Sequence, residues 1–499
     1  MPGAQTFTNF TRDIVEAAPS GDLALIELAR DGSRREWSFG ELASGARALS
    51  TELSRQGVQR GATVMTLIGN RPEWVMAVLA CIRIGAVALP CNEQLRTADI
   101  RARLDAAAPA LIICDRRNLS ELEGARPSCA VLAIPDAALF APGHADPAPA
   151  ADLAPSDPAL ITFTSGTSGA AKGIVHGHRY FSGQLLQARA WLAAAPGELV
   201  WCTAASGWSK SARNSFIAPW LLGAVALLHD GRFDPAERAA IIARERVNLL
   251  CMAPTEYRVM AKRIELPRFP ELRGLVAAGE ALNPEVLHAW HRATGIEIRD
   301  GYGQTETGQL TAMPAAEPAR AGSMGLPLPG VKLEIVDGEL VLSDPASAPT
   351  FFTGYLDGRP APLHTPWHTG DRVRADADGY LYFEGRADDV IISSGYRIGP
   401  FEVESALVAH HAVAEAAVVA ASDDERGAVV RAVIVLREGF TASPALAREL
   451  QEHVRALTAP YKYPRIVDFV DQLPKTASGK VQRAELRAQG LLPYVHGDD

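Results

Sequence analysis

Cysteine is scarce in this chain: six in 499 residues, at Cys81, Cys91, Cys114, Cys129, Cys202 and Cys251, with no C-x-x-C pair. That scatter excludes a disulfide-stapled module and leaves buried thiols in a reducing compartment as the plain reading. Long apolar runs are also missing. The greasiest stretch, 74 to 90, is broken by Arg83 and Gly85 and reads as a buried helix followed by a strand, not as a bilayer span. The first 22 residues hold no apolar leader core and the last four match no lipidation or retention signal, so a cytoplasmic protein without a membrane span is expected. No sign of charge dominates. A net charge of −9 speaks against a broad nucleic-acid surface while leaving room for a local basic groove, and no nucleic-acid partner is expected.

What the chain does have is length and alternation. Its 499 residues exceed what one hydrophobic core serves, so two or more domains are expected. Up to about 115, helical patterns at 39–56 and 97–107 alternate with short apolar runs at 62–68 and 110–114, which predicts a layered α/β domain with mainly parallel strands. An Ala-, Pro- and Asp-rich connector is predicted over 127–158. Further alternation follows: a helix over 180–194, strands over 199–203, 224–229, 247–252, 274–278 and 296–299, and a helix over 235–244. Beyond 327 the texture turns to hairpins around Asp337-Gly338 and Asp378-Gly379, a small β subdomain. Residues 385–389 read as a polar joint, and Gly399-Pro400-Phe401-Glu402 opens a helix with Pro and an acidic residue in its first turn. The last hundred residues read as a compact α+β domain.

Several predicted strand ends carry polar, glycine-containing turns, and ligands of open α/β sheets bind at the carboxyl ends of strands. The most conspicuous is T-S-G-T-S-G-A-A-K-G. Gly166 and Gly169 let the backbone aim N–H groups at an anion, Thr164, Ser165, Thr167 and Ser168 add hydroxyl donors, and Lys172 adds a positive charge. It is not a Walker loop, because the spacing from Gly169 to Lys172 is wrong and no hydroxyl follows the lysine; an ordinary polar loop is the alternative. His176 and His178 stand two apart, but no third ligand stands at a familiar metal spacing, so loop or core histidines are expected.

Five stretches then occur in one order: T-S-G-T-S-G-A-A-K-G, G-Y-G-Q-T-E-T-G, H-T-G-D, G-R-A-D-D-V-I-I-S-S-G-Y-R-I-G-P-F-E-V-E and P-K-T-A-S-G-K. Together they resemble the adenylate-forming superfamily of acyl-CoA synthetases, firefly luciferase-like enzymes and peptide-synthetase adenylation domains. G-W-S-K-S-A-R-N-S-F-I-A-P-W-L-L-G-A and L-R-T-A-D-I-R-A-R-L look most like its medium-chain and aryl acyl-CoA synthetase branch. The resemblance implies an α/β fold: a large N-terminal domain over 1–387, with layered α/β sheets and a small β subdomain, and a small mobile α+β domain over 388–499. It implies an acid:CoA ligase that uses ATP, Mg²⁺ and CoA and passes through an acyl-adenylate and AMP.

The resemblance also implies roles. The loop from Thr164 to Lys172 would hold the β and γ phosphates, Thr305 would contact the α-phosphate, and Glu306 would ligate Mg²⁺. Asp371 would accept hydrogen bonds from the ribose hydroxyls with support from Arg386, a task suited to one carboxylate's two oxygens. Gly279, Glu280 and Ala281, with Asp300, Gly301 and Tyr302 and the adjoining Gly303 and Gln304, would frame the nucleotide. Lys480 would bridge the substrate carboxylate and the α-phosphate, Asp388 would be the hinge, and Gly395, Tyr396 and Arg397 would line the pantetheine tunnel. Trp208, Lys210, Ser211, Arg213 and Gly303 would touch the acid.

The chain departs from the pattern at three places. Ala171 stands where the loop usually has Pro, Ala205 where the branch has Asp, and Arg213 with Asn214 where aromatic or small residues are common. The pocket is therefore expected to be polar or reshaped for an unusual acid. Three alternatives stay open: an enzyme that only thioesterifies an acyl-adenylate supplied by a separate adenylating enzyme, an adenylation enzyme that loads a carrier protein, and a nucleotide-binding regulator on an enzyme scaffold. Oligomeric state is left open by the sequence.

Overall fold

The computed structural model describes residues 7–141, 147, 149–164, 172–280, 282, 284–387, 389–393, 396–423, 426–475, 481–488 and 495–496. Alternating apolar runs and helices build two seven-stranded sheets. The first runs in the order Gly354–Tyr355, Lys172–Gly177, Pro158–Thr164, Val87–Cys91, Thr63–Leu67, Leu111–Asp115, Ala130–Ile134. The second runs Ile298–Gly301, Gly274–Ala278, Leu249–Met252, Leu199–Cys202, Val225–His229, Leu23–Leu28, Arg34–Ser38. Pairing among the central strands of both is parallel, as helical crossovers require, whereas Pro158–Thr164 and Lys172–Gly177 of the first sheet pair antiparallel.

One core joins the two sheets. The helix Pro72–Ile84 is buried at Pro72 and from Trp74 through Arg83, and its Trp74 meets Phe216 edge-on at 5.5 Å. A helix apolar on every side needs neighbours on every side; here residues of both sheets, among them Val64, Ala88, Ala226 and Leu228, surround it. The buried Arg83 that interrupts the run pairs with Glu16 at 2.8 Å. Among the described residues no helix is long and apolar enough to cross a membrane.

A third, six-stranded antiparallel sheet includes Leu333–Val336, Glu339–Leu342, Trp367–Ala375 and Leu381–Arg386. The small C-terminal domain carries a four-stranded sheet of Val413–Asp423, Gly427–Leu436, Ile466–Phe469 and Val495–His496. The helices Pro400–Ala409 and Pro444–Leu457 share its core. The first of these helices begins as its sequence predicts, with Gly399 at the N-cap and Pro400 at the first turn.

Three sequence-based expectations need correction. The connector over 127–158 contains a strand, Ala130–Ile134, paired in parallel with Leu111–Asp115; its alanines hide the β pattern. The strand expected at 296–299 begins at Ile298 and continues through Asp300 to Gly301. The polar joint at 385–389 begins inside a strand, because Leu381–Arg386 extends through Gly385 and Arg386 to pair with Arg372 and Asp371.

Candidate active site

The strand Ile298–Gly301 delivers G-Y-G-Q-T-E-T-G to the carboxyl edge of the second sheet, and these residues fold into a hairpin. Gly303 pairs with Gln309 and Gln304 with Gly308, so Thr305, Glu306 and Thr307 form its turn. A side chain at 303 would put Cβ into the carbonyl oxygen of Gly308, which is why glycine is needed there. The turn is pinned from outside. The Thr350 hydroxyl donates to Thr307 O at 2.6 Å, Phe352 N–H to Glu306 O at 2.8 Å, and His176 Nε2 to Thr305 O at 2.9 Å.

The third sheet supplies the opposing wall. Asp371 and Arg386 face each other across antiparallel strands, and Arg386 Nη1 donates to Asp371 Oδ1 at 3.2 Å. The other oxygen, Oδ2, accepts from the Tyr302 hydroxyl at 2.5 Å and from Gln304 Nε2 at 2.9 Å. Gln304 also donates to Thr369 O at 2.6 Å and accepts from Trp367 Nε1 at 3.0 Å, which fixes its amide orientation. Burial raises the Asp371 carboxyl above its ordinary value even though three donors and the Arg386 charge pull it down. Tyr302, Gln304 and Arg386, each half-buried, thus converge on the one buried carboxylate of Asp371, with acceptor capacity left chiefly on Oδ1.

Glu306 lies beside this network. Burial raises its carboxyl, while the charges of Lys172 and Arg386 oppose that rise. Asp300 is also buried and pushed well above the ordinary carboxylate range, with only the Gly301 N–H at 2.9 Å and the Lys210 charge resisting. Thr164 and Lys172 pair across the strands at the base of the glycine-rich loop; Ser165, Gly166, Thr167, Ser168, Gly169 and Ala171 lie outside the described residues. So do Ala281, Asp388, Gly395 and Lys480. Glu280 accepts from the Thr255 hydroxyl at 2.7 Å.

The segment after Cys202 forms a second wall. Gly207 takes a left-handed φ of 88° and packs on the backbone of Cys91 and Asn92. That turn starts Trp208 to Arg213 along the site. Lys210 Nζ donates to Ala278 O at 3.1 Å, beside Gly279, and the Ser211 hydroxyl donates to Trp208 O at 2.6 Å. The Tyr180 hydroxyl donates to Ser209 O at 3.3 Å, and its ring lies 4.4 Å from that of His176. Arg213 is buried, with its guanidinium acting on the Tyr180 hydroxyl. Tyr396 stands apart from these walls, exposed and stacked on Tyr461 at 4.3 Å, and Arg397 pairs with Ile392 in the same hairpin.

His176 is a buried core histidine, as its sequence context predicts, and it is also the post beneath Thr305, a role that the sequence does not signal. Burial pushes it down to about 3, so it is neutral, and a neutral ring that donates from Nε2 leaves Nδ1 as acceptor only. Thr350 and Trp367 carried no signal, because they reach the site from a distant part of the chain. Among the described residues the one grouping with metal-ligand proximity is His410, His411 and Glu449. His410 Nδ1 accepts from Ala412 N–H at 3.3 Å, so Nε2 carries the proton that meets Glu449 at 3.1 Å: a hydrogen-bonded pair.

This geometry agrees with an independent finding: the family model described as AMP-binding enzyme matches residues 12–347. The chain belongs to the AMP-binding enzyme family. The model of the AMP-binding enzyme C-terminal domain matches residues 402–480. The uncharacterized acyl-CoA ligase YtcI of Bacillus subtilis is 38% identical over 93% of this chain and 92% of its own length. The mitochondrial acyl-coenzyme A synthetase ACSM3 of Rattus norvegicus is 36% identical, covering 96% and 90%. The crystal structure of the anthranilate CoA ligase AuaEII with anthranoyl-AMP superposes with a TM-score of 0.87 at 28% identity, covering 98% of each chain. This AMP-binding enzyme therefore stands in the acyl-CoA synthetase branch of the adenylate-forming superfamily, within the medium-chain and aryl group.

Proposed function

We propose that the protein joins a carboxylic acid to coenzyme A in two half reactions. A carboxylate oxygen of the acid attacks the α-phosphorus of ATP and pyrophosphate leaves. The CoA sulfur then attacks the acyl carbon of the adenylate, AMP leaves, and the thiol proton passes to solvent. The observation that carries this reading is the convergence of Tyr302, Gln304 and Arg386 on the buried Asp371, beside the pinned Thr305–Glu306 turn. It offers an acceptor for a ribose and a hydroxyl and a carboxylate for a phosphate at one place, prearranged so that little reorganisation accompanies the chemistry.

In this reading the ribose hydroxyls donate to Asp371, chiefly at Oδ1, and Arg386 holds that carboxylate in place. Tyr302 closes the nucleotide site over Gly279 and Glu280. Thr305 aims its hydroxyl at the α-phosphate, and Lys172 attracts the triphosphate at the mouth of the loop. Glu306 fits a magnesium ion: it is a hard oxygen ligand in a partly buried position, and among the described residues no side chain donates to it. Magnesium bound there would draw charge from the phosphate oxygens. Lys480, supplied by the C-terminal domain, neutralises the attacking carboxylate and the α-phosphate. The domain boundary lies at Asp388, which acts as the hinge, and Gly395, Tyr396 and Arg397 guide the pantetheine arm.

The test is a split assay on the full chain with medium-chain, aryl and polar acids. Pyrophosphate release is scored separately from thioester formation from synthetic acyl-adenylates. Activity in both arms is expected. Thioester formation without pyrophosphate release would shift the assignment to a partner-dependent enzyme, and intact ATP binding with neither half reaction would sink it.

A further inference from the structure

The wall formed by residues 208–213 carries two cations: Lys210 acts on the buried Asp300 carboxyl, and Arg213 has no carboxylate partner among the described residues. Arg213 is 5% exposed and its Nε has no hydrogen-bond partner. Lys210, three residues earlier, is partly buried, and among the described residues its amine donates only to a main-chain carbonyl, that of Ala278. Buried guanidinium groups are ordinarily paired, because the charge loses its hydration on entering the protein and only an opposing charge restores the loss. Among the described residues the other three most buried arginines keep that rule, Arg83 with Glu16, Arg238 with Glu256 and Arg431 with Asp468, whereas the half-buried Arg179 and Arg299 are held by the main-chain carbonyls of Phe351 and Trp191.

The surroundings of Arg213 are polar but neutral. Gln187 Nε2 donates to Gln184 Oε1 at 3.2 Å and to Asn214 Oδ1 at 3.0 Å, which leaves Asn214 Nδ2 without a partner. The charge of Arg213 is felt at His176 and Tyr180, and together with that of Lys210 at Cys251. The cluster is wired directly to the reaction centre, since His176 holds Thr305 and Tyr180 packs its tilted ring against His176. A group placed here therefore lies just behind the atoms that would hold the adenylate.

Resting on the ligase reading above, we propose that the acid pocket is built for a dicarboxylic acid, activated at one carboxyl group while the second, still anionic, pairs with Arg213 and is flanked by Lys210. A guanidinium presents a planar fork that matches a carboxylate's two oxygens. An apolar tail in the same place leaves the charge without hydration or partner, so the site selects against monocarboxylic acids as well as for diacids.

The test separates pocket chemistry from turnover. Non-hydrolysable acyl-sulfamoyl adenosines of equal length, ending in a methyl, a carboxamide or a carboxylate, are titrated calorimetrically against the full chain, and the matching free acids are assayed for thioester formation. The carboxylate-ended analogue is expected to bind at least about tenfold tighter than the other two, the scale of a charge-assisted pair in a dry site. Arg213→Leu is expected to reverse that order, and Arg213→Lys to keep it in weakened form. A merely structural role for Arg213 would weaken all three analogues together. Equal or tighter binding of the methyl- or amide-ended analogue to the unaltered protein, or an unchanged order in Arg213→Leu, overturns the proposal. If no acid forms a thioester while the carboxylate-ended analogue still binds tightest, the ligase reading falls and the pocket assignment stands.

Discussion

Asp371 shows how one side chain can be fixed by arithmetic of donors. Its two oxygens receive protons from Tyr302, Gln304 and Arg386, and Gln304 cannot turn, since Trp367 donates to its carbonyl and Thr369 accepts from its amide. An asparagine has the same shape but only one acceptor oxygen. Whichever way its amide is placed, an NH₂ group meets a donor, either Arg386 on one side or Tyr302 and Gln304 on the other. Leaving such groups unpaired in a buried site costs about 1–3 kcal/mol. Asp371→Asn should therefore lower the thermal midpoint measurably and weaken AMP binding by about tenfold or more, since each 1.4 kcal/mol is a factor of ten. Calorimetric titration with AMP checks this; unaltered affinity would mean that the network is not the ribose site.

At the scale of elements, the site depends on a hairpin with only two paired residues on each strand. Gly303→Ala cannot be accommodated without parting Gly303 from Gly308, because the new methyl group would occupy the position of the Gly308 carbonyl. The Thr305–Glu306 turn should then lose its register. Pyrophosphate exchange is expected to fall by roughly a hundredfold, the scale on which misplaced groups lose catalysis. The thermal midpoint should move much less, because the two seven-stranded sheets do not depend on this turn. An equal collapse of both would place the hairpin in the folding core. This element also marks the limit of what sequence shows. Apolar period and turn chemistry made the helix at 97–107, the strand at 274–278 and the Asp337-Gly338 hairpin legible, because local preference and tertiary context agree there. A two-residue ladder has no period to read, and the strand Ala130–Ile134 was hidden by alanines that its neighbour accommodates. The contacts of His176 with Thr305 and of Trp367 with Gln304 join segments 129 and 63 residues apart, a distance that pattern alone cannot bridge. Motif resemblance named Asp371 and Arg386, but not the way in which Tyr302 and Gln304 already occupy the carboxylate.

Across the whole molecule, the C-terminal domain rests on the large domain through a titratable contact. Lys262, on the helix Pro254–Arg263, donates to Ala414 O at 3.0 Å. Burial, with Arg437 and Arg258 nearby, pushes its amine down to about 8, against the pull of Glu285 and Glu415. Arg437 and Glu415 belong to the C-terminal domain, so separating the domains restores water to the amine and returns it toward the ordinary lysine value near 10.5. The docked arrangement therefore binds the proton less tightly than the separated one. Its share rises with pH between about 8 and 10.5 and levels off below about 8, where both arrangements carry the proton. Between pH 7 and 9 the docking equilibrium should strengthen by up to about tenfold, the limit set by one group shifted over this range. A neutral amine still donates to Ala414, so the contact survives deprotonation. Cys129 is half-buried while the other five cysteines are buried, so a dye on Cys129 and a second on Glu438→Cys can report the interdomain distance by energy transfer. The docked signal should grow with pH in the parent protein and lose that dependence in Lys262→Met. A signal that falls with rising pH, or one that keeps its dependence in the methionine variant, would show that another group governs the seat of the C-terminal domain.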